Sequence, residues 1–313
     1  MNEGLIELKG VTKKFGKNTV LDSIDLQIPE GKITGIIGAS GEGKSTILKM
    51  IASFYKPTAG KIFYMDKDIL KDTRSVRNSF GFAIEDGSFY ENLTVEENLR
   101  HFGKLYHVKK KVLFPRVEGL MHFVGLVDAK NVLAKNLSLG MKKRLDIACS
   151  LVHNPKVLIL DEPTADLDPL LRFQIIKLIK KINSHGKTIV FTTQLLEEAD
   201  EICDKIAILY NEKITDAGTS SKIKEKYKTK SLNDVFRKLF SKKGRKAYQE
   251  SKEKKTELKK TEEDSKKDSK AEFWYENEGE KISREELEEV LGRKGIFKRV
   301  KNKILRKKSK EKK

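Results

Sequence analysis

One short glycine-rich segment limits what this chain can fold into more than any other feature of its sequence. It follows an apolar run at positions 33–37 that predicts a buried strand, and it precedes a helical pattern. Glycines in this arrangement let backbone N–H groups converge on a phosphate at the start of the helix. We therefore predict a phosphate-binding loop made of Gly38, Ala39, Ser40, Gly41, Glu42, Gly43, Lys44, Ser45 and Thr46. Within it, Lys44 adds a cation and the Ser45 hydroxyl can ligate Mg²⁺.

Two adjacent carboxylates follow a second apolar strand pattern, at residues 157–160. Because parallel strands end at the same edge of a sheet, Asp161 and Glu162 are expected near the phosphate loop. Asp161 would hold Mg²⁺ through its water shell, and Glu162 would polarise the attacking water as general base. For this pair alone a solvated turn is the better interpretation, but a phosphate loop in the same chain reverses that preference.

The order of patterns along residues 1–215 predicts an α/β domain with a largely parallel sheet. Further strands are expected at 80–84 and 188–191. Between residues 88 and 136 the pattern is helical only and begins with a capping box formed by Thr94 and Glu97, which predicts an inserted helical subdomain. A hairpin is expected to end near Gly218, and residues 231–240 predict a final helix.

The C-terminal part of the sequence has a different composition. Residues 241–270 are rich in Lys, Glu and Ser and predict a disordered linker, and a short capped helix could start at Ser283. Residues 292–313 hold twelve Lys and Arg against one acid, so much of the chain's net charge of +19 lies there. This tail fits a helix on an anionic membrane surface as well as it fits a solvated basic tail, whereas nucleic-acid binding is less favoured. Trp274 and Tyr275 could dock it to the domain or to a partner.

Several classes of protein are disfavoured by the sequence. No apolar run reaches the roughly eighteen residues that a membrane-spanning helix needs, and the first ten residues are unlike a secretory signal, so we expect a cytosolic chain. Cys149 and Cys203 lack metal-ligand spacing and are interpreted as reduced packing residues. No internal repeat is visible, which indicates one nucleotide-binding domain and not two in tandem.

Three segments, in this order and spacing, resemble the ATP-binding proteins of the ABC transporter family. They are the phosphate loop, the sequence LSLGMKKR at residues 137–144, and the sequence LDEPTADLD at residues 160–168. The resemblance covers roughly residues 1–240 and implies an ATP hydrolase that uses ATP and Mg²⁺. It also implies a P-loop NTPase (RecA-like) core with an antiparallel β subdomain and an inserted α-helical subdomain. The implied domains are a nucleotide-binding domain at 1–218, a helical segment at 219–240 and an extension at 241–313.

The family pattern implies roles for further residues by their position. Phe15 falls where an aromatic ring stacks on adenine, although a lone Phe near a strand is more often a core residue. Ser138 and Gly140 fall where a helix N-terminus faces the γ-phosphate bound by the opposite subunit, and Asp168 falls in a loop that crosses the dimer interface. Hydrolysis through these residues implies a homodimer.

Two positions depart from the family pattern in ways that affect chemistry. Glu85 stands where a glutamine usually meets Mg²⁺ and water, so a charged oxygen ligand replaces a neutral one. Gln194 stands where a histidine usually touches the γ-phosphate, and Gln can donate a hydrogen bond but carries no proton charge. We expect slower or differently regulated hydrolysis, with Lys44, Glu162 and Gln194 as the catalytic residues. The segment at 137–144 also departs from the commonest form, but the phosphate-facing Ser and second Gly remain.

These departures, with residues 231–236, are similar to the drug- and antibiotic-exporting branch that includes the daunorubicin- and bacitracin-resistance ATPases. The resemblance implies a peripheral subunit on the cytoplasmic side of the cell membrane, which drives a separate transmembrane permease. An alternative is a soluble ABC ATPase that acts on nucleic acid or ribosomes through its basic tail. A third is a regulatory subunit that binds ATP and hydrolyses it poorly because of Gln194.

Overall fold

The computed structural model of the chain describes residues 4–239. The predictions for the linker at 241–270, the helix from Ser283, Trp274, Tyr275 and the basic tail at 292–313 lie outside the described residues. None of the helices between residues 4 and 239 has the length and apolarity needed to cross a membrane.

Strands and helices alternate along most of the described chain. The strands are β1 (Gly4–Phe15), β2 (Asn18–Pro29), β3 (Ile33–Ile37), β4 (Ala59–Tyr64), β5 (Lys67–Asp68), β6 (Phe80–Ala83), β7 (Val157–Asp161), β8 (Thr188–Thr193), β9 (Lys205–Tyr210) and β10 (Lys213–Gly218). The helices are α1 (Lys44–Ile51), α2 (Thr73–Ser79), α3 (Val95–Leu105), α4 (Lys110–Val124), α5 (Leu139–Leu151), α6 (Pro169–Ser184), α7 (Leu196–Ile202), α8 (Ser220–Lys226) and α9 (Leu232–Leu239). This mixed α/β architecture confirms the predicted fold class.

The strands form two sheets of different kinds. A four-stranded antiparallel sheet has the order β2-β1-β4-β5, and a six-stranded sheet has the order β10-β9-β3-β8-β7-β6. In the larger sheet all neighbours are parallel except β9 and β10, which form the predicted hairpin. Every residue of β3, β7 and β8 is buried, as expected for parallel strands that are covered on both faces.

The order of the central strands positions the site. β8 lies between β3 and β7 and runs parallel to both, with Ile37 paired to Thr193 and Asp161 paired to Thr192. The segments that leave the carboxyl ends of these three strands therefore emerge side by side at one edge of the sheet. Those segments are the predicted phosphate loop, the carboxylate pair and the Gln194 loop.

The inserted segment is helical, as predicted. The Thr94 hydroxyl accepts from the Glu97 N–H at 3.2 Å and the Glu97 carboxylate accepts from the Thr94 N–H at 2.8 Å, which is the predicted capping box at the start of α3. Apolar residues of α3 and α4 share one core cluster with α5 and β7. The subdomain is thereby packed on the helix that carries Ser138 and Gly140.

The last two described helices cover part of the larger sheet. Ile223 of α8 and Val235 of α9 are buried in one cluster with Ile37, Ile206 and Ile208. Helix α9 occupies the position predicted for the final helix. Residues 219–239 therefore contribute to the core of the described domain.

Candidate functional site

The predicted phosphate loop joins β3 to α1 and has the backbone that such a loop needs. Gly43, the N-cap of α1, has φ 103°, which L side chains rarely adopt. A Cβ on Gly38 would lie 2.6 Å from the backbone oxygen of Leu209 on β9. The Glu42 carboxylate accepts from the Asn211 N–H at 2.9 Å, so the loop is also fixed to the β9–β10 turn.

Lys44 points back into this loop and meets the predicted general base. Its ammonium donates to the backbone oxygens of Gly38 and Ala39 at 3.1 and 3.2 Å and pairs with Glu162 Oε1 at 3.1 Å. Lys44 and Glu162 are both buried. Glu162 has φ 48°, a left-handed conformation that is uncommon for this residue type and that recurs at functional sites. The structure thus brings together two predicted site residues that lie 118 positions apart.

Asp161 is held by two hydroxyls from different elements. Ser45 Oγ and Thr192 Oγ1 donate to Asp161 Oδ1 at 3.0 and 2.7 Å, and the Glu162 N–H donates to Thr192 Oγ1 at 3.0 Å. Sequence reasoning missed Thr192, which is fully buried. The register of β8 against β7 places it directly beside Asp161, so the pairing of the two strands was the signal that could have identified it.

The oxygen atoms at this edge fit a magnesium ion. Ser45 and Asp161 offer a hydroxyl and a carboxylate side by side, which are hard ligands of the kind that Mg²⁺ prefers. Within residues 4–239, no group of three or more His, Cys, Asp or Glu side chains could hold a metal. Mg²⁺ is usually bound through one or two carboxylates together with phosphates and water, and Asp161 with Ser45 matches the protein's share of such a site.

Glu85 lies in the loop after β6, and the charges of Asp161 and Glu162 affect its pKa. Its pKa is raised above the ordinary value, first by partial removal from water and then by the charges of Asp161, Glu162 and Asp86. Lys143 opposes this effect, and its ammonium donates to the Glu85 backbone oxygen at 2.7 Å. The predicted metal ligand is therefore electrostatically coupled to the Asp161–Glu162 pair.

A further buried carboxylate, also missed from sequence, connects the segment after β7 with the end of β8 and with helix α6. Glu198 Oε2 accepts from Thr164 Oγ1 at 2.7 Å and from Thr193 Oγ1 at 2.9 Å. Arg172 lies 3.4 Å from Glu198 Oε1 and donates to the Leu167 backbone oxygen at 3.1 Å. Burial is the main cause that raises the pKa of Glu198. Nothing in the pattern of the short helix α7 marks this acid as buried.

Gln194 and Phe15 are both at the surface. Gln194 follows β8 directly and is exposed, and the next residue is fixed by a 3.0 Å bond from the Leu195 N–H to Thr193 Oγ1. Phe15 ends β1 with 40% of its surface exposed, so it is not a core residue. Its ring lies edge-on to Tyr55 with centroids 5.5 Å apart, and the Lys13 ammonium lies 4.8 Å from its centre.

Ser138, Gly140 and Asp168 form a separate group at the first turns of α5 and α6. Ser138 caps α5 by accepting from the Met141 N–H at 3.4 Å, and Asp168 caps α6 by accepting from the N–H groups of Leu170 and Leu171 at 2.9 Å. Gly140 faces Leu171, because a Cβ on Gly140 would lie 2.9 Å from Leu171 Cδ2. The structure therefore brings the starts of the two helices together.

Large apolar side chains are exposed around these two helix starts. Leu139, Leu170 and Phe173 have 44, 67 and 58% of their surfaces exposed. Ser138 and Asp168 are exposed beside them. Apolar groups rimmed by polar residues are typical of interaction sites, so these helix starts are a candidate contact surface.

Comparison with known proteins gives consistent similarities. A family model described as "ABC transporter" matches residues 21–165. The chain is 36% identical over 222 residues to the probable multidrug ABC transporter ATP-binding protein YbhF of Escherichia coli strain K12, a match that covers 71% of the chain and 38% of YbhF. It is 32% identical over 224 residues to the daunorubicin resistance ATP-binding protein DrrA3 of Streptomyces coeruleorubidus, covering 72% of the chain and 71% of DrrA3. A solved structure of an ATP-binding subunit of an ABC transporter superposes with a TM-score of 0.69 at 27% identity, over 76% of this chain and 100% of that one.

Proposed function

Because the chain belongs to the ATP-binding proteins of the ABC transporter family, which hydrolyse ATP, we propose that it pairs with a second copy of itself and drives a separate membrane permease. Each of the two ATP molecules would lie between the phosphate loop of one copy and the Ser138 segment of the other. Closure of the pair would pull on the permease, and hydrolysis would release it. The protein would act peripherally, at the cytoplasmic face of the membrane.

The contacts of Lys44 support a mechanism in which ATP binds first and the general base becomes active afterwards. A phosphate at the loop competes for the Lys44 ammonium with the Gly38 and Ala39 oxygens and with Glu162. When Lys44 turns to the phosphate, Glu162 loses its partner and becomes free to orient the attacking water and take its proton. ATP binding would thereby prepare the general base.

Other residues would position the phosphates and the metal. Ser45 and Asp161 would hold Mg²⁺, with Glu85 as a further oxygen ligand, and the bound ion would neutralise charge on the phosphates. Thr192 keeps Asp161 in place by its hydrogen bond. Gln194 would donate a hydrogen bond to the γ-phosphate, and Phe15 would stack on adenine.

The observation that carries the pairing is the exposed apolar group at the starts of α5 and α6. Leu139 directly follows the exposed Ser138, and the Leu170 N–H bonds to the exposed Asp168, so an ATP-dependent contact at the two helix starts would bury these residues together with Phe173. The N-terminus of α5 would then face an anion, as helix N-termini favour.

Sedimentation of the full chain tests the pairing. Glu162→Gln should slow hydrolysis and accumulate a dimer when ATP and Mg²⁺ are present. Adding Leu170→Asp to that variant should keep it monomeric, whereas adding Val127→Asp, at an apolar residue exposed elsewhere, should leave the dimer intact. A protein that stays monomeric with ATP in the Glu162→Gln background would contradict the proposal.

We infer export as the direction of transport, since relatives are named for daunorubicin resistance and for Nod factor export; a methionine import protein is similar as well, so the permease decides the direction. Affinity purification of the tagged chain from detergent-solubilised membranes of its own host should recover a multi-span membrane protein in stoichiometric amount. Recovery with ribosomes or nucleic acid alone would favour the soluble ATPase instead.

A further inference from the structure

A buried acid on α5 has no part in the chemistry described so far. Asp146 has 2% of its surface exposed, and its neighbours Leu145, Ile147 and Ala148 are apolar and buried. Burial is the main cause that raises the pKa of Asp146 to about 6, although hydrogen bonds from Ser88 and the charge of Lys143 act in the opposite sense. Burying a carboxylate costs stability unless the group is well bonded. Packing alone therefore gives no reason for an acid at this position.

The partner of Asp146 is the loop that carries Glu85. The N–H and the hydroxyl of Ser88 both donate to Asp146 Oδ1, at 2.8 and 2.5 Å. The other end of the same loop is held by Lys143, whose ammonium donates to the Glu85 backbone oxygen at 2.7 Å. Lys143 and Asp146 are three residues apart and so share one face of the helix.

The loop between these two attachments is itself a tight turn. The Gly87 N–H donates to the Ile84 backbone oxygen at 3.0 Å, and Gly87 has φ 78°. A turn that is closed internally and bonded at both ends has little freedom to move independently of its support. Lys143 and Asp146 also line one small cavity with Asp161, so this attachment adjoins the proposed metal position.

We propose that Asp146 and Lys143 are positioning residues that fix the Glu85 loop to helix α5, so that Glu85 and the Ser138 segment keep one relative placement. Glu85 belongs to the ATP site of its own chain. Ser138 lies at the start of α5, the helix to which the Glu85 loop is bonded, and faces the ATP of a second copy. Approach of the second copy's ATP to Ser138 would then set the position of Glu85 in the first site. The roles of Glu85 and Ser138 rest on the proposed function.

The test uses the full chain with three variants on one helix. Asp146→Ala removes the acceptor, Asp146→Asn keeps an acceptor of the same shape, and Ser150→Ala is a matched control because the Ser150 hydroxyl, among the described residues, bonds only within α5, to the Ile147 oxygen. Hydrogen exchange of peptides covering residues 84–93, measured without nucleotide, reports the attachment directly. We expect exchange about tenfold faster in Asp146→Ala, a smaller change in Asp146→Asn and no change in Ser150→Ala.

The functional readout is the Mg²⁺ dependence of ATP hydrolysis. Loss of the attachment should raise the free Mg²⁺ concentration for half-maximal rate about fivefold in Asp146→Ala, with recovery in Asp146→Asn, while ATP affinity in EDTA stays unchanged. If Asp146→Ala does not fold, Ser88→Ala removes the hydroxyl donor and takes its place.

Unchanged exchange at residues 84–93 would overturn the proposal, and so would faster exchange with an unchanged Mg²⁺ dependence. The exchange measurement needs no hydrolysis. A parent chain that fails to hydrolyse ATP would therefore count against the proposed function, while the exchange result would still decide whether Asp146 holds the loop.

Discussion

At the scale of single residues, two buried threonines on neighbouring strands have opposite surroundings. The Thr192 hydroxyl on β8 donates to Asp161 and accepts from the Glu162 N–H. The Thr34 hydroxyl on β3 is equally buried and has no hydrogen-bond partner among the described residues. Thr34 is therefore an internal control for Thr192, because the Thr192 hydroxyl bonds to site residues and the Thr34 hydroxyl does not.

Thr192→Val should destabilise the fold by about 1–3 kcal/mol, because it removes one of the two hydroxyl donors to Asp161 Oδ1 and leaves the buried Glu162 N–H without its partner. It should also lower the ATP hydrolysis rate, since Asp161 loses a positioning bond. Thr34→Val should be neutral or stabilising by the same reasoning. Urea unfolding and steady-state hydrolysis of both variants provide the check, and an equal loss in the two would refute this account of Thr192.

At the scale of elements, the sequence predicted what depends on local pattern. Strands β3, β7 and β8, the capping box of α3 and the β9–β10 hairpin all follow from apolar periodicity and cap residues near one another in the chain. Glu198 and Asp146 could not be predicted this way. Each sits on a helix whose pattern does not distinguish a buried acid from an exposed one. Glu198 is bonded to Thr164, 34 positions away, and Asp146 is bonded to Ser88, 58 positions away.

The same reasoning explains why the phosphate loop was predictable and its partners were not. The glycines and Lys44 of the loop are close together in the sequence, so their pattern is visible there. The ion pair between Lys44 and Glu162 depends on the order of strands in the sheet. The roles proposed for Ser138, Gly140 and Asp168 would depend on a second copy of the chain, which no pattern within one copy can place.

The raised pKa of Asp146 on helix α5 makes the folding stability of the protein depend on pH. A folded pKa of about 6 against the ordinary 3.8 means that ionised Asp146 costs folding stability above pH 6, and that this cost disappears as the pH falls toward 4. At 1.36 kcal/mol per unit of pKa, the cost is roughly 3 kcal/mol.

Asp146→Asn should therefore be more stable than the parent near neutral pH, and this advantage should shrink as the pH falls from about 6 to about 4. Denaturant unfolding of both proteins across this range measures it, with Ser150→Ala as the reference. If the difference in stability between the two proteins stays constant with pH, ionisation of Asp146 does not reduce the folding stability.

At the scale of the whole molecule, the two groups of predicted site residues lie on different elements. Lys44, Ser45, Asp161 and Glu162 meet at the carboxyl edge of the larger sheet, whereas Ser138, Gly140 and Asp168 gather at the starts of α5 and α6. A two-fold pair of chains would present the second group of each copy to the first group of the other. We therefore propose that each working ATP site draws residues from two chains.

Mixing two inactive variants tests this claim most directly. Glu162→Gln would impair the proposed general base of its own chain, and Ser138→Arg would impair the segment proposed to face the partner, besides removing the side-chain cap of α5. A mixed pair would contain one site with both defects and one site with neither, so an equimolar mixture should recover roughly a quarter of the parent rate if chains pair at random. An equimolar mixture of parent with the double variant Glu162→Gln/Ser138→Arg is the control. Its mixed pairs contain no intact site, so only the parent pairs should work and the rate should fall to roughly a quarter of the parent rate, below the half expected if each chain worked alone. Recovery well above the sum of the two single variants, together with this loss in the control, is the predicted result. A mixture no more active than that sum would contradict the account, because each site would then be complete within one chain.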